Sequence, residues 1–430
     1  MTSPANNQDI GRRRQSEIYV EGMGGTKPLV PVDMKQLEAA ARAEMSGEGY
    51  AYMAGGAGME STIQANQDAF ERWRIVPRML RDVSVRDTSI DLFGQRLPSP
   101  FLLAPIGVLE MAHSQADIAV ARAAAAEGVP MIFSNQASYP MEACAAQMGD
   151  GSRWFQLYWS RMDDLVESFV ARAEACGCSA IVLTLDTTML GWRIRDLDLA
   201  YLPFLRGKGI AQYTSDPVFL HSLEQIAENE VSNASRRLTP QLLTAAIQMA
   251  RAFPGGLRQG LRGGKARKAV QQFVGTYSRP SLTWEDLRFL RELTTLPLLL
   301  KGILHPDDAR QAIDHGMDGV IVSNHGGRQV DGAIASLDAL PGIVEAVNGR
   351  IPVLMDSGIR SGAHAFKALA LGAQAVCIGR PYAYGLAIAG EAGVRAVLQN
   401  LKADFDLTMG LAGCTSIQEI TSETLVHIPA

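Results

Sequence analysis

The chain is poor in cysteine, nearly balanced in charge and without a long apolar run, and each scarcity removes a class of protein. Its five cysteines (Cys144, Cys176, Cys178, Cys377 and Cys414) are odd in number and scattered. Cys176-Gly177-Cys178 has no partner pair at zinc-ligand spacing, so no metal site is expected. The thiols read as reduced, as in a cytoplasmic protein. A formal net charge of −5 and a pI of about 5.9 offer nothing overall to nucleic acid or to an anionic bilayer. No uncharged apolar run reaches the roughly 18 residues of a membrane span. The richest stretch, 368–390, is interrupted by Arg380 and Pro381. Arg12-Arg13-Arg14 is followed by no apolar h-region of a secretory signal, and Glu17 and Glu21 count against a transit peptide. A soluble, cytoplasmic enzyme is expected.

What is present is a rhythm. Short apolar, β-rich runs recur at 100–108, 131–134, 154–159, 180–186, 296–301, 319–323, 352–356 and 375–379, each ending in polar or glycine residues. Between them, 116–127, 163–176, 284–293, 306–315 and 361–371 carry apolar residues at helical spacing. His305-Pro306-Asp307-Asp308 has the proline and acidic first turn of a helix start. Eight such units with continuously apolar strands predict an α/β fold, a (β/α)8 TIM barrel. A doubly wound dinucleotide fold would want Gly-x-Gly-x-x-Gly after the first strand, where this chain has Ala104-Pro105-Ile106-Gly107.

Residues 1–99 read as an N-terminal extension and helical segment packing on the barrel, with 33–54 as one or two helices ending in Gly55-Gly56-Ala57-Gly58. Residues 100–430 read as the barrel itself. An insertion of about 202–280 separates strands four and five and must emerge on the C-terminal face, above the site. Its glycines and its basic residues (Arg251, Arg258, Arg262, Lys265, Arg267, Lys268) suggest a mobile segment. It could serve as a lid, a membrane-docking patch or a plain surface loop.

Barrel enzymes react where the C-terminal ends of the strands converge. Strand three ends in Gln156-Leu157-Tyr158, and strand four in Thr184-Leu185-Asp186 with Arg193 beyond. Strand five ends at Lys301, strand six at Ser323-Asn324-His325-Gly326-Gly327-Arg328, strand seven at Asp356-Ser357-Gly358-Ile359-Arg360 and strand eight at Gly379-Arg380. Two glycines expose His325, a base that works near neutral pH, and Arg328, a forked clamp for a carboxylate. Together they suggest proton abstraction from a small organic acid. Asp186 could orient His325 and stabilise its protonated form. Gly358, Arg360, Gly362, Gly379 and Arg380 have the makings of a phosphate site, since glycine admits close N–H approach and arginine donates bidentately. Lys301 would stabilise negative charge developing on a ring or an enolate. His113, His315, His364 and His427 lack catalytic neighbours and read as surface or structural.

These strand ends, with Tyr52-Met53-Ala54-Gly55-Gly56-Ala57, Ala104-Pro105-Ile106-Gly107 and Ser134, resemble the FMN-dependent α-hydroxy-acid oxidase and dehydrogenase family over about 37–417. Most specific is the stretch from Ser323 to Gly332. The resemblance implies FMN at the barrel mouth, with Pro105, Ile106, Gly107, Ser134, Gln156, Thr184, Lys301 and Ser323 around the isoalloxazine ring. Lys301 would sit near the N1 edge. Asp356, Ser357, Gly358, Ile359, Arg360, Gly379 and Arg380 would hold ribityl and phosphate. Tyr52, Arg193 and Arg328 would bind the substrate carboxylate, and Tyr158 would stand at its hydroxyl. His325 would be the base, paired with Asp186. The implied partners are a small 2-hydroxy acid and O2, and by analogy a homotetramer is expected.

Within the family, Gly191-Trp192-Arg193-Ile194-Arg195-Asp196-Leu197, Tyr213-Thr214-Ser215-Asp216-Pro217-Val218-Phe219, Gly379-Arg380-Pro381-Tyr382-Ala383-Tyr384-Gly385 and Arg14-Gln15-Ser16-Glu17-Ile18-Tyr19 resemble the lactate 2-monooxygenase branch. That branch turns L-lactate and O2 into acetate, CO2 and water, and a lid that seals the site would serve it. Asn135-Gln136 stands where plant glycolate oxidases place an aromatic residue. The insertion around 228–264 is longer than the branch implies. Gly107 stands where simple lactate oxidases carry alanine. Two alternatives remain: an oxidase releasing the 2-oxo acid and hydrogen peroxide, and a quinone- or cytochrome-linked dehydrogenase docking through the basic insertion.

Overall fold

Eight apolar segments pair in sequence order into a closed parallel barrel in the computed structural model, which describes residues 9–225 and 239–429. The strands are β1 Phe101–Leu103, β2 Met131–Phe133, β3 Arg153–Leu157 and β4 Ile181–Thr184, then β5 Leu298–Ile303, β6 Gly319–Val322, β7 Val353–Met355 and β8 Ala375–Ile378. Closure is made by β8 against β1, with Val376, Cys377 and Ile378 opposite Phe101, Leu102 and Leu103. Each predicted run overlaps one of these strands, with Arg153–Leu157 starting one residue earlier and Leu298–Ile303 ending two residues later than predicted.

The runs are continuously apolar because both faces of each strand are buried. Leu102, Ile132, Trp154, Val182, Leu299, Ile321, Leu354 and Cys377 point inward and fill the barrel. Their neighbours Leu103, Phe133, Phe155, Leu183, Leu300, Val322, Met355 and Ile378 point outward, into the layer beneath the helices. A hairpin, Ile90–Leu92 against Gln95–Leu97, closes the bottom by adding Ile90, Leu92 and Leu97 to the inner cluster. Ile321 is 0% exposed, so truncation to alanine there would cost about 2–5 kcal/mol.

The helices Ala116–Glu127, Asp163–Ala175, Leu287–Leu293, Pro306–Asp314 and Gly362–Ala370 cover the barrel at the predicted places. Segment 33–54 forms two helices, Met34–Glu44 and Gly47–Ala54, capped by Asp33 accepting from Gln36 N (2.8 Å) and Ser46 accepting from Gly49 N (3.0 Å). An N-terminal helix, Ile10–Met23, lies against the C-terminal helix Arg380–Leu411, which is interrupted by non-helical Ala389 and Gly390. Gly11 N donates to Asp406 Oδ2 at 2.9 Å, and a Cβ at Gly11 would meet Leu407 at 2.4 Å. Glycine is needed there for close approach. Among the described residues no helix is long and apolar enough to cross a membrane.

The insertion departs from the mobile segment its glycines and basic residues suggest. Its described parts include the helices Pro217–Glu224, Pro240–Ala252, Gly256–Leu261 and Lys265–Thr276. In the last of these, Ala266, Ala269, Val270 and Phe273 form one buried stripe. Phe273 packs with Tyr213, Phe219 belongs to the same aromatic cluster, and all three are 1% exposed or less. Arg251, Arg258, Lys265 and Arg267 are exposed on these helices, Lys268 is half-buried and Arg262 lies in the turn between two of them. The part of the long 228–264 stretch up to residue 238 lies outside the described residues.

Candidate active site

The turn after β6 places the histidine. His325 has φ 57°, a left-handed conformation that costs a non-glycine residue about 1–3 kcal/mol and concentrates at functional sites. The surroundings hold it there: His325 N donates to Ser323 Oγ (3.0 Å), and Gly326 N donates to Ser357 Oγ (3.0 Å). Asn324 is clamped by reciprocal amide bonds with Asn66 (2.9 and 2.7 Å). The outcome is a His325 Nδ1 that lies 2.7 Å from Asp186 Oδ1, with Thr187 Oγ1 at 3.3 Å. Nδ1 is thereby committed to Asp186, and Nε2 is the nitrogen left for a reactant in the cavity that His325 lines.

Lys301, on β5, supplies the local positive charge. Its Nζ donates to Ser323 Oγ at 2.8 Å and lies 3.1 Å from Asp356 and 3.9 Å from Asp186. Burial opposes its charge, yet the two carboxylates raise its pKa above the ordinary lysine value. Burial also opposes charge on Asp186, but His325 and Lys301 overcome it and hold the carboxyl down to about 2. His325 is lowered, by burial first, with Asp186 opposing and Lys301 and Arg193 reinforcing. At neutral pH the pair is therefore an ionised aspartate and a neutral imidazole. Tyr158 is pushed up to about 12 by burial and by Asp186, so its hydroxyl keeps its proton and can donate.

Four arginines enter the same cavity with no carboxylate ion pair on any of Arg193, Arg328, Arg360 or Arg380 among the described residues. Arg193, beyond β4, donates through Nε to Arg328 O (3.3 Å) and through Nη2 to Gln329 Oε1 (3.2 Å). Arg328 donates to the carbonyls of Tyr52 and Gly55 and stacks 5.0 Å from the Tyr52 ring centroid. Burial first, and then Arg193, lower Arg328 to about 9. Arg360 is lowered to about 10 by burial and Arg380. Arg380 spreads its guanidinium over the carbonyls of Met53 (3.3 Å), Gly326 (2.9 Å) and Gly55 (3.0 Å). It therefore staples the N-terminal segment to the His325 turn while its charge reaches the cavity. Buried cations that disfavour one another in this way call for anionic occupants.

The cavity measures about 990 Å³, open mouth included. Pro105, Ile106 and Gly107 after β1, Ser357 to Arg360 after β7 and Gly379-Arg380 after β8 line one part of it. Tyr52, Tyr158, Arg193, His325 and Arg328 line another, and Lys301 and Asp356 are also exposed to it. Ser134, Gln156, Thr184 and Ser323 sit just beneath. Ser134 Oγ donates to Gln156 Oε1 (3.2 Å), and Gln156 Nε2 donates to Thr184 Oγ1 (3.1 Å). Gly358 (φ 82°) has no room for a side chain, since a Cβ would meet Asn66 O at 2.4 Å. The donor set fits a flavin mononucleotide: arginines beside glycine-rich turns for the phosphate, and a buried lysine for the ring. Asp186 Oδ2 is buried without a hydrogen-bond partner, with the Lys301 ammonium 3.9 Å away.

Four contributors escape the sequence. Thr187 bridges Asp186 and His325, and only its adjacency to Asp186 hinted at it. Gln329 carries Arg193 and also donates to Asp186 O (2.7 Å) and Met189 O (2.9 Å). Phe204 and Tyr277, from the two ends of the insertion, line the cavity. His364 is structural: it stacks on Phe70 at 4.2 Å, accepts from Arg360 N at 3.3 Å and is lowered to about 4 by burial and Lys367.

Fold and site together define a flavin-dependent oxidoreductase built on a (β/α)8 barrel. Residues 41–427 match the model of the FMN-dependent dehydrogenase family, and the chain belongs to that family. It is 42% identical to an L-lactate oxidase of Lysinibacillus sphaericus over 396 residues, 92% of this chain and 93% of that one. It is 39% identical to an FMN-dependent alpha-hydroxy acid dehydrogenase of Penicillium citrinum, over 96% and 95% of the two chains. The crystal structure of a mandelate oxidase with (S)-4-hydroxymandelic acid matches with a TM-score of 0.75 and 37% identity, covering 92% of this chain and 98% of that one. FMN is the cofactor, and oxidation of 2-hydroxy acids is the chemistry.

Proposed function

We propose that the chain oxidises a small L-2-hydroxy acid, with L-lactate as the simplest case, and completes the lactate 2-monooxygenase reaction: lactate and O2 leave as acetate, CO2 and water. Bound FMN supplies the two-electron acceptor. Arg193, Arg328 and Tyr52 fix the carboxylate, and Tyr158 donates to the substrate oxygen. Nε2 of His325 takes the departing proton, and ionised Asp186 stabilises the imidazolium that results. Lys301 balances charge arriving on the ring side of the cavity.

One observation carries the oxygen chemistry. The described part of the insertion is packed rather than loose. Phe204 meets Tyr52 edge-on at 6.4 Å and packs on Phe273 at 5.3 Å, so substrate site and insertion share one aromatic cluster. A cover anchored in this way favours keeping 2-oxo acid and peroxide together long enough for decarboxylation. The rival reading, an oxidase that releases pyruvate and peroxide, is favoured by the similarity to an L-lactate oxidase. Incubating the FMN-loaded protein with L-lactate under air and quantifying products separates them. Stoichiometric acetate and CO2 with little peroxide supports the monooxygenase, and pyruvate with equimolar peroxide overturns it.

A further inference from the structure

Gln136 stands out among the side chains that line the cavity. It follows β2, is 7% exposed, and its backbone is held on both sides: its N–H donates to Ser134 Oγ (3.1 Å) and its carbonyl accepts from Val108 N (2.9 Å). The side-chain amide has no hydrogen-bond partner among the described residues, although it lines the cavity. The nearby Gln156 shows the contrast, since its amide is satisfied by Ser134, Asn135 N and Thr184. An amide that faces a binding cavity and is not spent on the protein can recognise a ligand, as donor and as acceptor.

Two glycines define where that amide sits. A Cβ on Gly107 would come within 3.2 Å of Gln136 Cβ and 3.5 Å of its Oε1. A Cβ on Gly209, in the insertion, would lie 3.1 Å from Gln136 O and 3.2 Å from the Phe204 ring. Phe204 in turn abuts Tyr52. Gln136 therefore sits between the Gly107 turn and Gly209 of the insertion, with Phe204 linking that corner to Tyr52.

We infer that Gln136 determines which longer substrate side chain is accepted, and that it selects a 2-hydroxy acid bearing a hydroxyl on its side chain, such as a 2,3-dihydroxy acid, over an apolar one of the same length. The inference rests on the reading of this cavity as the 2-hydroxy-acid site. The arginines take the C1 carboxylate, so the remaining recognition falls on the side chain. An amide both donates and accepts, so a hydroxyl satisfies it in either orientation. An apolar group of equal size leaves it unpaired, and a site that loses such a bond discriminates by about tenfold or more. The redox step is unchanged: two electrons pass from Cα to FMN, protons leave the C2 hydroxyl and Cα, and a 3-hydroxy-2-oxo acid results.

L-Glycerate and L-2-hydroxybutanoate are nearly isosteric and differ in this one group. Anaerobic flavin reduction by each should be timed in the native holoenzyme and in Gln136→Leu and Gln136→Met. Binding of hydroxypyruvate and 2-oxobutanoate should be followed through the flavin spectrum in the same proteins. We expect the native enzyme to prefer glycerate about tenfold or more in reduction efficiency, hydroxypyruvate to bind tighter by a similar factor, and both preferences to vanish or reverse in the variants. A native preference for 2-hydroxybutanoate, or a glycerate preference that survives in whichever variant retains FMN, overturns the assignment. Reduction by L-lactate alone, with neither longer acid accepted, overturns it while leaving the proposed function standing. No reduction by any of the three acids overturns both.

Discussion

Asp186 Oδ1 lies 2.7 Å from His325 Nδ1, and that single contact sets tautomer, orientation and charge at the base. Asp186→Asn keeps the shape but removes the anion that stabilises the imidazolium. Flavin reduction by L-lactate should slow by about 10²- to 10⁴-fold, the usual worth of a positioned base. His325→Gln should keep FMN bound yet leave it oxidised when substrate is added without oxygen. Stopped-flow absorbance checks both, and rapid bleaching in His325→Gln would refute the base assignment.

The acid limb of the pH profile follows from one depressed group. His325, lowered by burial, must be neutral to accept a proton, so kcat/KM falls as pH drops through a value below 6.5. Arg328 keeps its charge throughout, since a guanidinium does not lose its proton in proteins, so no basic limb should come from it. Asp186 raises the histidine pKa, so Asp186→Asn should move the acid limb to lower pH. A limb that stays in place or moves upward contradicts this account.

Lys301 sits between two carboxylates, 3.1 Å from Asp356 and 3.9 Å from Asp186. Lys301→Met leaves like charges buried and unpaired, at a cost of about 3–5 kcal/mol. The urea midpoint should fall accordingly, and adding Asp356→Asn should restore part of the loss. An additive double variant would show that the pair is not coupled.

Gly107→Ala tests the oxygen chemistry. Its methyl would press on Gln136 at 3.2 Å to Cβ and 3.3 Å to the carbonyl oxygen, shifting the turn beneath the space where product and peroxide must stay together. The acetate-to-pyruvate ratio should drop and peroxide should appear in an electrode trace. An unchanged ratio would remove Gly107 from the account.

Much of the fold is legible along the chain because of how a parallel barrel is built. Both faces of each strand are buried, so Gly319-Val320-Ile321-Val322 and its seven counterparts are apolar without alternation and stop where the chain meets the mouth. Polar residues after such a stop converge by topology, which is why His325, Asp186, Lys301 and Arg360 read as one site from the sequence alone. Helix Ser336–Val347 was less legible, because Pro341 argues against a helix and only packing of Leu337, Leu340 and Ile343 overrides it.

The sequence by itself determined the barrel, the flavin family and the residues at the strand ends, because these depend on local apolar patterning and on short motifs. Tertiary structure alone decided the rest: the left-handed His325, the stapling of Arg380 onto Met53 and Gly55, the packed insertion over Tyr52 and the open amide of Gln136. Those features join residues tens to hundreds of positions apart. No local periodicity encodes such a meeting, which exists only once the closed barrel has brought its loops to one mouth.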